Sequence, residues 1–292
     1  MSKKQPDWDD VIPLWRHNRP ESTLYVYGPV IRRLRNHVSQ TPIREVSTAQ
    51  IQEFLDANTK GQLPATAGRK LSTIKSLFGY ALKVGAIDRD PSAPILSPRI
   101  PDELAARILT KDEVLRIIEA QTPGTRDRVL LVILFSCGIR ASEASSLKWG
   151  DVRKRAGNDG QISVLGKGNK RRSIRLTPDV WAELNSIKPP NVALERHVFE
   201  SDAGFRRPLS RVRIANIVRA AAKKAGLEAA VSPHWLRHTH ATVAMDSGAP
   251  LNLISYTLGH TSVATTSRYL HASPERSSTQ YINLRRKTAN KT

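Results

Sequence analysis

The sequence has one cysteine in 292 residues, Cys137, so no intrachain disulfide can form and a reducing compartment is expected. Cys137 ends an apolar run, which gives it the character of a small core residue. Long apolar stretches are also missing. The longest, VLLVILFSCGI at 129–139, is about half of what a membrane span needs and reads instead as a buried helix. The opening MSKKQPDWDD has no apolar stretch and no signal-peptide form. Together these absences point to a cytoplasmic protein with no membrane partner. No G-x-x-x-x-G-K-[ST] phosphate loop occurs, so that class of nucleotide-driven chemistry is not indicated. Aromatic residues are modest at 5%, but an apolar fraction of 39% is compatible with ordinary globular cores.

Acidic residues are the other shortage. Against 46 Lys and Arg stand 26 Asp and Glu, a formal charge of +20. Such a balance favours a polyanion, nucleic acid before an acidic membrane surface. The excess is uneven, at +5 over residues 1–98 and +15 over 99–292. The larger half is therefore the expected main phosphate binder.

The periodicity predicts a mainly α protein of two domains with a small β-hairpin in the second. In STLYVYGPVIRRLRNHV (22–38), Leu24, Tyr27, Ile31, Leu34 and Val38 fall on one helical face, with Pro29 arguing against the first turn. VSTAQIQEFLDAN (46–58) opens with Ser47 and Gln50 at capping-box spacing, and 65–85 repeats the apolar stripe. Four prolines in DRDPSAPILSPRIP (88–101) then favour an extended connector. Thr110 and Glu113 form a second capping box just beyond it. These features divide the chain into a helical domain at 1–97, a linker at 98–104 and a second domain at 105–292. Within the latter, QISVLGKGNKRRSIRL (161–176) reads as a hairpin, and helices are expected at 129–139, 178–187, 210–226 and from Pro233.

Four segments hold polar residues that this framework does not require. In CGIRASEASSLKWGDV (137–152), Gly138 can end the buried helix, and Arg140 and Glu143 open the next. Taken alone, that pair reads as a structural ion bridge. Lys167 and Lys170 stand at the hairpin tip, where the plain reading is a solvated basic turn. In SPHWLRHTHAT (232–242), Pro233 suits a first helical turn, and His234 and Arg237 then share a face. His234 and His238, four apart, raise the question of zinc, but the glutamate of H-E-x-x-H is absent and no further ligand cluster is evident. No metal is expected, and His238 and His240 read as packing or surface residues. The fourth segment, LGHTSVATTSRYLH (258–271), carries His260 and, nine residues on, Tyr269. Tyr256, lying among apolar residues in ISYTLGH, is expected in the core.

These four segments together resemble the tyrosine site-specific recombinases, or phage-type integrases. The matches are G-I-R-x-S-E-x-x-x-L-x-W-x-D around Arg140, G-K-G-N-K around Lys167, S-P-H-x-L-R-H-x-x-A-T around His234 and Arg237, and L-G-H-x-x-x-x-T-T-x-x-Y from His260 to Tyr269. They keep the family's order and spacing over roughly 105–271, and the N-terminal helices resemble its core-binding domain by position, size and helicity. With no arm-binding domain expected before residue 1, the two-domain, Xer-like members are the closer likeness.

The resemblance implies an enzyme that cleaves and rejoins double-stranded DNA through a 3′-phosphotyrosyl intermediate, without ATP, metal or other cofactor. Tyr269 would be the nucleophile, and Arg140 and Arg237 would hold the non-bridging oxygens, with His260 donating a further bond. Lys167 would protonate the leaving 5′ oxygen, and His234 would accept or relay the tyrosine proton. It further implies four protomers on two DNA sites, as a homotetramer or with a related recombinase, associated with the nucleoid and open to an accessory protein. Tyr281, Ile282 and Leu284 would then be available to dock on a neighbouring subunit or on their own domain. The competing readings are a topoisomerase that relaxes one duplex with the same chemistry, and a catalytically silent DNA-binding protein.

Overall fold

The computed structural model describes residues 6–17, 19–99, 107–202, 207–228, 230–260 and 266. The chain separates into two units, residues 1–101 and 102–292. It is mainly helical, and among the described residues one three-stranded sheet is present, in the second unit.

The first unit contains α1 (Trp8–His17), α2 (Glu21–Val38), α3 (Thr48–Thr59) and α4 (Pro64–Lys83). Helix α1 lies outside the helices expected from the pattern. Its signal is Trp8, Val11 and Trp15 at steps of three and then four, all buried. Asp7 accepts from the Trp8 N–H at 2.8 Å just ahead of it. Helix α2 runs through Pro29, although a proline there cannot donate to the Tyr25 carbonyl. Burial of Ile31, Leu34 and Val38 in the core beyond the proline offsets that loss. The Ser47 capping box opens α3: Ser47 Oγ accepts from Gln50 N at 3.2 Å and Gln50 Oε1 from Ser47 N at 2.9 Å.

The second unit begins with α5 (Lys111–Glu119), whose Thr110–Glu113 box forms as its sequence signals. Helix α6 (Arg126–Ser136) is buried at every position from Val129 to Leu134. A helix apolar on all sides needs cover on all sides, and α5, α7 (Ala141–Ser146), α8 (Pro178–Ser186) and α10 (Pro233–Asp246) pack against it. Among the described residues the remaining α-helices are α9 (Arg211–Lys224) and α11 (Leu251–Leu258).

The expected hairpin is β2 (Gly160–Leu165) with β3 (Arg171–Leu176), and β1 (Val152–Lys154) adds an edge strand in the order β1-β2-β3, antiparallel throughout. Gly168 and Asn169 at the tip adopt φ of 74° and 60°, which lets the chain reverse. Along β3 the inward positions are Arg172, Ile174 and Leu176. An arginine thus stands where the alternation calls for an apolar side chain.

Tyr256 corrects an expectation: it is 56% exposed, not part of the core. Ile254 and Leu258, four residues apart, are the buried face of α11. A residue midway between them projects from the opposite side.

Candidate active site

Three arginines from distant parts of the second unit meet at the C-terminal end of α11. The last carbonyls of a helix have no partner within it and carry partial negative charge. Here they receive guanidiniums. Thr257 O accepts from Arg172 Nε at 2.7 Å. Leu258 O accepts from Arg237 Nη2 at 2.6 Å and Arg140 Nη1 at 3.4 Å, and Gly259 O from Arg140 Nη2 at 3.4 Å. Gly259 ends α11 in the left-handed region, with φ of 64°, which glycine adopts without strain.

Arg140 reaches this point because α6 stops at a left-handed Gly138 (φ 58°) and Arg140 becomes the N-cap residue of α7. Glu143 holds it at two places, accepting from its backbone N–H at 2.8 Å and from Nη1 at 2.9 Å. The bridge suspected from the sequence is thus present, as part of a larger assembly. Arg140 is 29% exposed at its side chain. Its Nε and the second hydrogen of Nη2 meet no partner among the described residues. Arg237, on α10, is 4% exposed and donates to Gly138 O at 2.5 Å as well as to Leu258 O. One arginine is thus fixed in the wall while the other presents an open edge.

Arg172 completes the group and was not among the residues singled out by motif. It is 6% exposed, and its Nη1 and Nη2 donate to Glu143 Oε1 and Oε2, both at 2.9 Å. The signal that identifies it is its inward register on β3. Burial alone would push the Glu143 carboxyl up. The hydrogen bonds from Arg172 and from the Arg140 backbone, and then the charges of Arg172 and Arg140, override that and hold it below its usual range. Three guanidiniums against one carboxylate leave the pocket positive.

The histidines respond to that charge. Burial first, then Arg237, Arg140, Arg172 and finally His238 lower the His260 pKa to about 4. Its Nδ1 lies 2.7 Å from Thr266 Oγ1, a bond that orients the ring. The His234 pKa is lowered by partial burial and then by Arg237 and Arg140, although the residue keeps solvent-exposed surface. His240 is held down to about 4, chiefly by burial, despite its bond with the Phe135 backbone. It is a packing residue, set against Gly138. The His234 and His238 rings lie 6.3 Å apart. Among the described residues no group of three or more His, Cys, Asp or Glu is arranged to hold a metal.

The structure therefore brings together Arg140, Arg237, His234 and His260 of the expected residues. Lys167 follows Gly166 at the hairpin tip, where its backbone is described. Tyr269 lies outside the described residues, as do Tyr281, Ile282 and Leu284. No helix among the described residues is long and apolar enough to cross a membrane.

Three guanidiniums against one carboxylate, beside a basic hairpin, form a set of fixed cations of the kind that stabilises negative charge on oxygen. Residues 107–276 match the phage integrase family and residues 14–85 the phage integrase N-terminal SAM-like domain. The chain belongs to the phage integrase family, the tyrosine recombinases, and is an enzyme of DNA strand cleavage and rejoining. It is 32% identical over 234 residues to tyrosine recombinase XerC of Xanthomonas campestris pv. campestris (strain B100), covering 78% of this chain and 71% of the relative. To tyrosine recombinase XerD of Xanthomonas axonopodis pv. citri it is 33% identical over 240 residues, 77% of each. The fold is that of lambda integrase residues 75–356, solved as a dimer bound to a COC′ core site. The two superpose with a TM-score of 0.71 at 22% identity, over 90% of this chain and 93% of that one.

Proposed function

We propose that the chain is a site-specific recombinase of double-stranded DNA, with Tyr269 as nucleophile and a pocket of Arg140, Arg237, His234, His260 and Lys167. The observation that carries this is the convergence of guanidiniums on the end of α11, with an edge of Arg140 that meets no partner among the described residues and His234 and His260 beside it. In-line displacement at phosphorus places negative charge on non-bridging oxygens. Rigid cations already held by backbone carbonyls stabilise it without reorganising. Arg140 offers its open edge to one oxygen, and Arg237 adds charge from the wall. A neutral His260 acts as a hydrogen-bond donor that competes with neither arginine for charge.

His234, its pKa lowered and its ring open to solvent, is suited to accept or relay the proton that Tyr269 loses on attack. Lys167, on the hairpin tip, protonates the departing 5′ oxygen. The phosphotyrosyl bond conserves the energy of the phosphodiester, so resealing to a partner strand requires no ATP. Residues 1–97 supply a helical DNA-binding domain, 98–104 the connection and 105–292 the catalytic domain.

Two protomers per site follow the lambda integrase dimer on its core site. Two sites then make four protomers, of this chain alone or with a related recombinase. The +20 charge fits a protein held on nucleoid DNA in the cytoplasm.

The test is covalent trapping on genomic fragments. Wild-type protein is expected to form a protein–DNA adduct whose attached sequences converge on one site. Tyr269→Phe is expected to bind the same DNA and form none. An adduct persisting in that variant would move the nucleophile elsewhere.

A further inference from the structure

We infer that Arg172 is a positioning residue for catalysis, the joint that sets Lys167 and His260 relative to Arg140. The inference rests on the recombinase reading above and extends it to a residue outside the expected set.

Its guanidinium reaches α7, the end of α11 and the turn at Gly166. Through Nη1 and Nη2 it holds both oxygens of Glu143, which in turn holds the backbone and side chain of Arg140. Through Nε it holds Thr257 O, three residues before His260. It is also wedged between two glycines. A Cβ on Gly259 would stand 2.9 Å from Nη1 and 3.0 Å from Cζ, and one on Gly166 would stand 3.3 Å from Nη1. Gly259 immediately precedes His260, and Gly166 immediately precedes Lys167. Both glycines let the chain pass close to the arginine, and both release it directly into a residue of the pocket.

The same bonds serve electrostatics. Glu143 Oε1 is shared between Arg140 Nη1 and Arg172 Nη1. With its charge met largely by the buried Arg172, the carboxylate grips Arg140 by one corner and leaves the other edge to a phosphate oxygen. Without Arg172, Arg140 would be the main counter-ion of Glu143 and would be drawn back from the substrate.

The experiment uses the full chain and a nicked duplex carrying the site recovered by covalent trapping. It compares wild type with Arg172→Met and Arg172→Lys. DNA binding, the single-turnover rate of adduct formation at saturating DNA and the final adduct amplitude are each measured. A positioning role lowers the rate per competent molecule, by about 100-fold for Arg172→Met, the scale set by a misplacement near 1 Å. Arg172→Lys keeps the charge beside Glu143 but loses the fork, and about a tenfold loss is expected. Affinity for the duplex stays near wild type in both.

A merely structural role lowers the amplitude, which counts competent molecules, and leaves their rate unchanged; that result overturns the inference. So does a wild-type rate in both variants. If Arg172→Met does not fold, Arg172→Lys decides alone, because its buried charge stays paired. Wild-type protein that forms no adduct on any fragment sinks the recombinase reading itself, and this inference with it. Adducts forming at equal rates in all three proteins sink this inference only.

Discussion

Gly259→Ala isolates the physical demand at the centre of the site. The residue sits at φ 64°, where an L side chain costs about 1–2 kcal/mol. Its new methyl would also stand 2.9, 3.0 and 3.2 Å from Nη1, Cζ and Nε of Arg172. Those atoms belong to one planar group tied to Glu143 and Thr257, so it cannot swing aside without loosening a bond. Losing one hydrogen bond of this charged pair costs about 1.5–3 kcal/mol. Alanine recovers about 0.4–1 kcal/mol by restricting the unfolded chain. The net expectation is a loss of about 2–4 kcal/mol.

The control is Gly248→Ala, whose φ of 86° carries the same kind of backbone strain with nothing within 4 Å of the new methyl. It should lose only about 1 kcal/mol. In thermal unfolding of the full chain, the second unit's transition should fall by about 5–15 °C for Gly259→Ala and by no more than about 4 °C for Gly248→Ala. Equal shifts in the two variants would refute the wedging of Arg172 against Gly259.

Further expectations concern pH, reactivity and the general acid. His240 and His260 have pKa values lowered to about 4, so both stay neutral in the fold and protonate more readily once it opens. Stability is therefore full above about pH 6.5 and is lost as pH falls from there toward 4, with His240 contributing up to about 3 kcal/mol. A melting temperature flat across that window would contradict the burial of these rings. Burial pushes the Cys137 thiol up to about 12. Iodoacetamide should label it only under unfolding conditions, and rapid labelling of the native protein would place it at the surface. Lys167→Ala should slow strand cleavage by about 10²–10⁴-fold, far more than Lys170→Ala. The reverse order in single-turnover cleavage would transfer the general-acid role to Lys170.

How much could be read without coordinates followed the range of the interaction concerned. The capping boxes at Ser47–Gln50 and Thr110–Glu113 are closed by groups three residues apart, and both form. The all-apolar stretch at 129–134 dictated a helix covered on every side. Two β-rich runs on either side of the turn at 167–170 signalled β2 and β3. The four motifs likewise carried the family, because residue type and spacing are linear properties. Tyr256 went wrong because apolar neighbours in sequence do not say which side of a helix a residue occupies.

The sequence by itself thus determined the mainly helical character, most element starts and the set of candidate catalytic side chains. Only the tertiary structure decided what holds them together. Arg140 and Gly259 are separated by 119 residues, Arg237 and Gly138 by 99, and Arg172 and Thr257 by 85. No local propensity encodes such pairings. They arise because a helix end must satisfy its last carbonyls, and guanidiniums from three other segments, two of them buried, are what the packed core delivers there. In the sequence Arg172 is one of several basic residues in the hairpin segment. Its inward place on β3, between Gly166 and Gly259, makes it the member on which the rest of the pocket is registered.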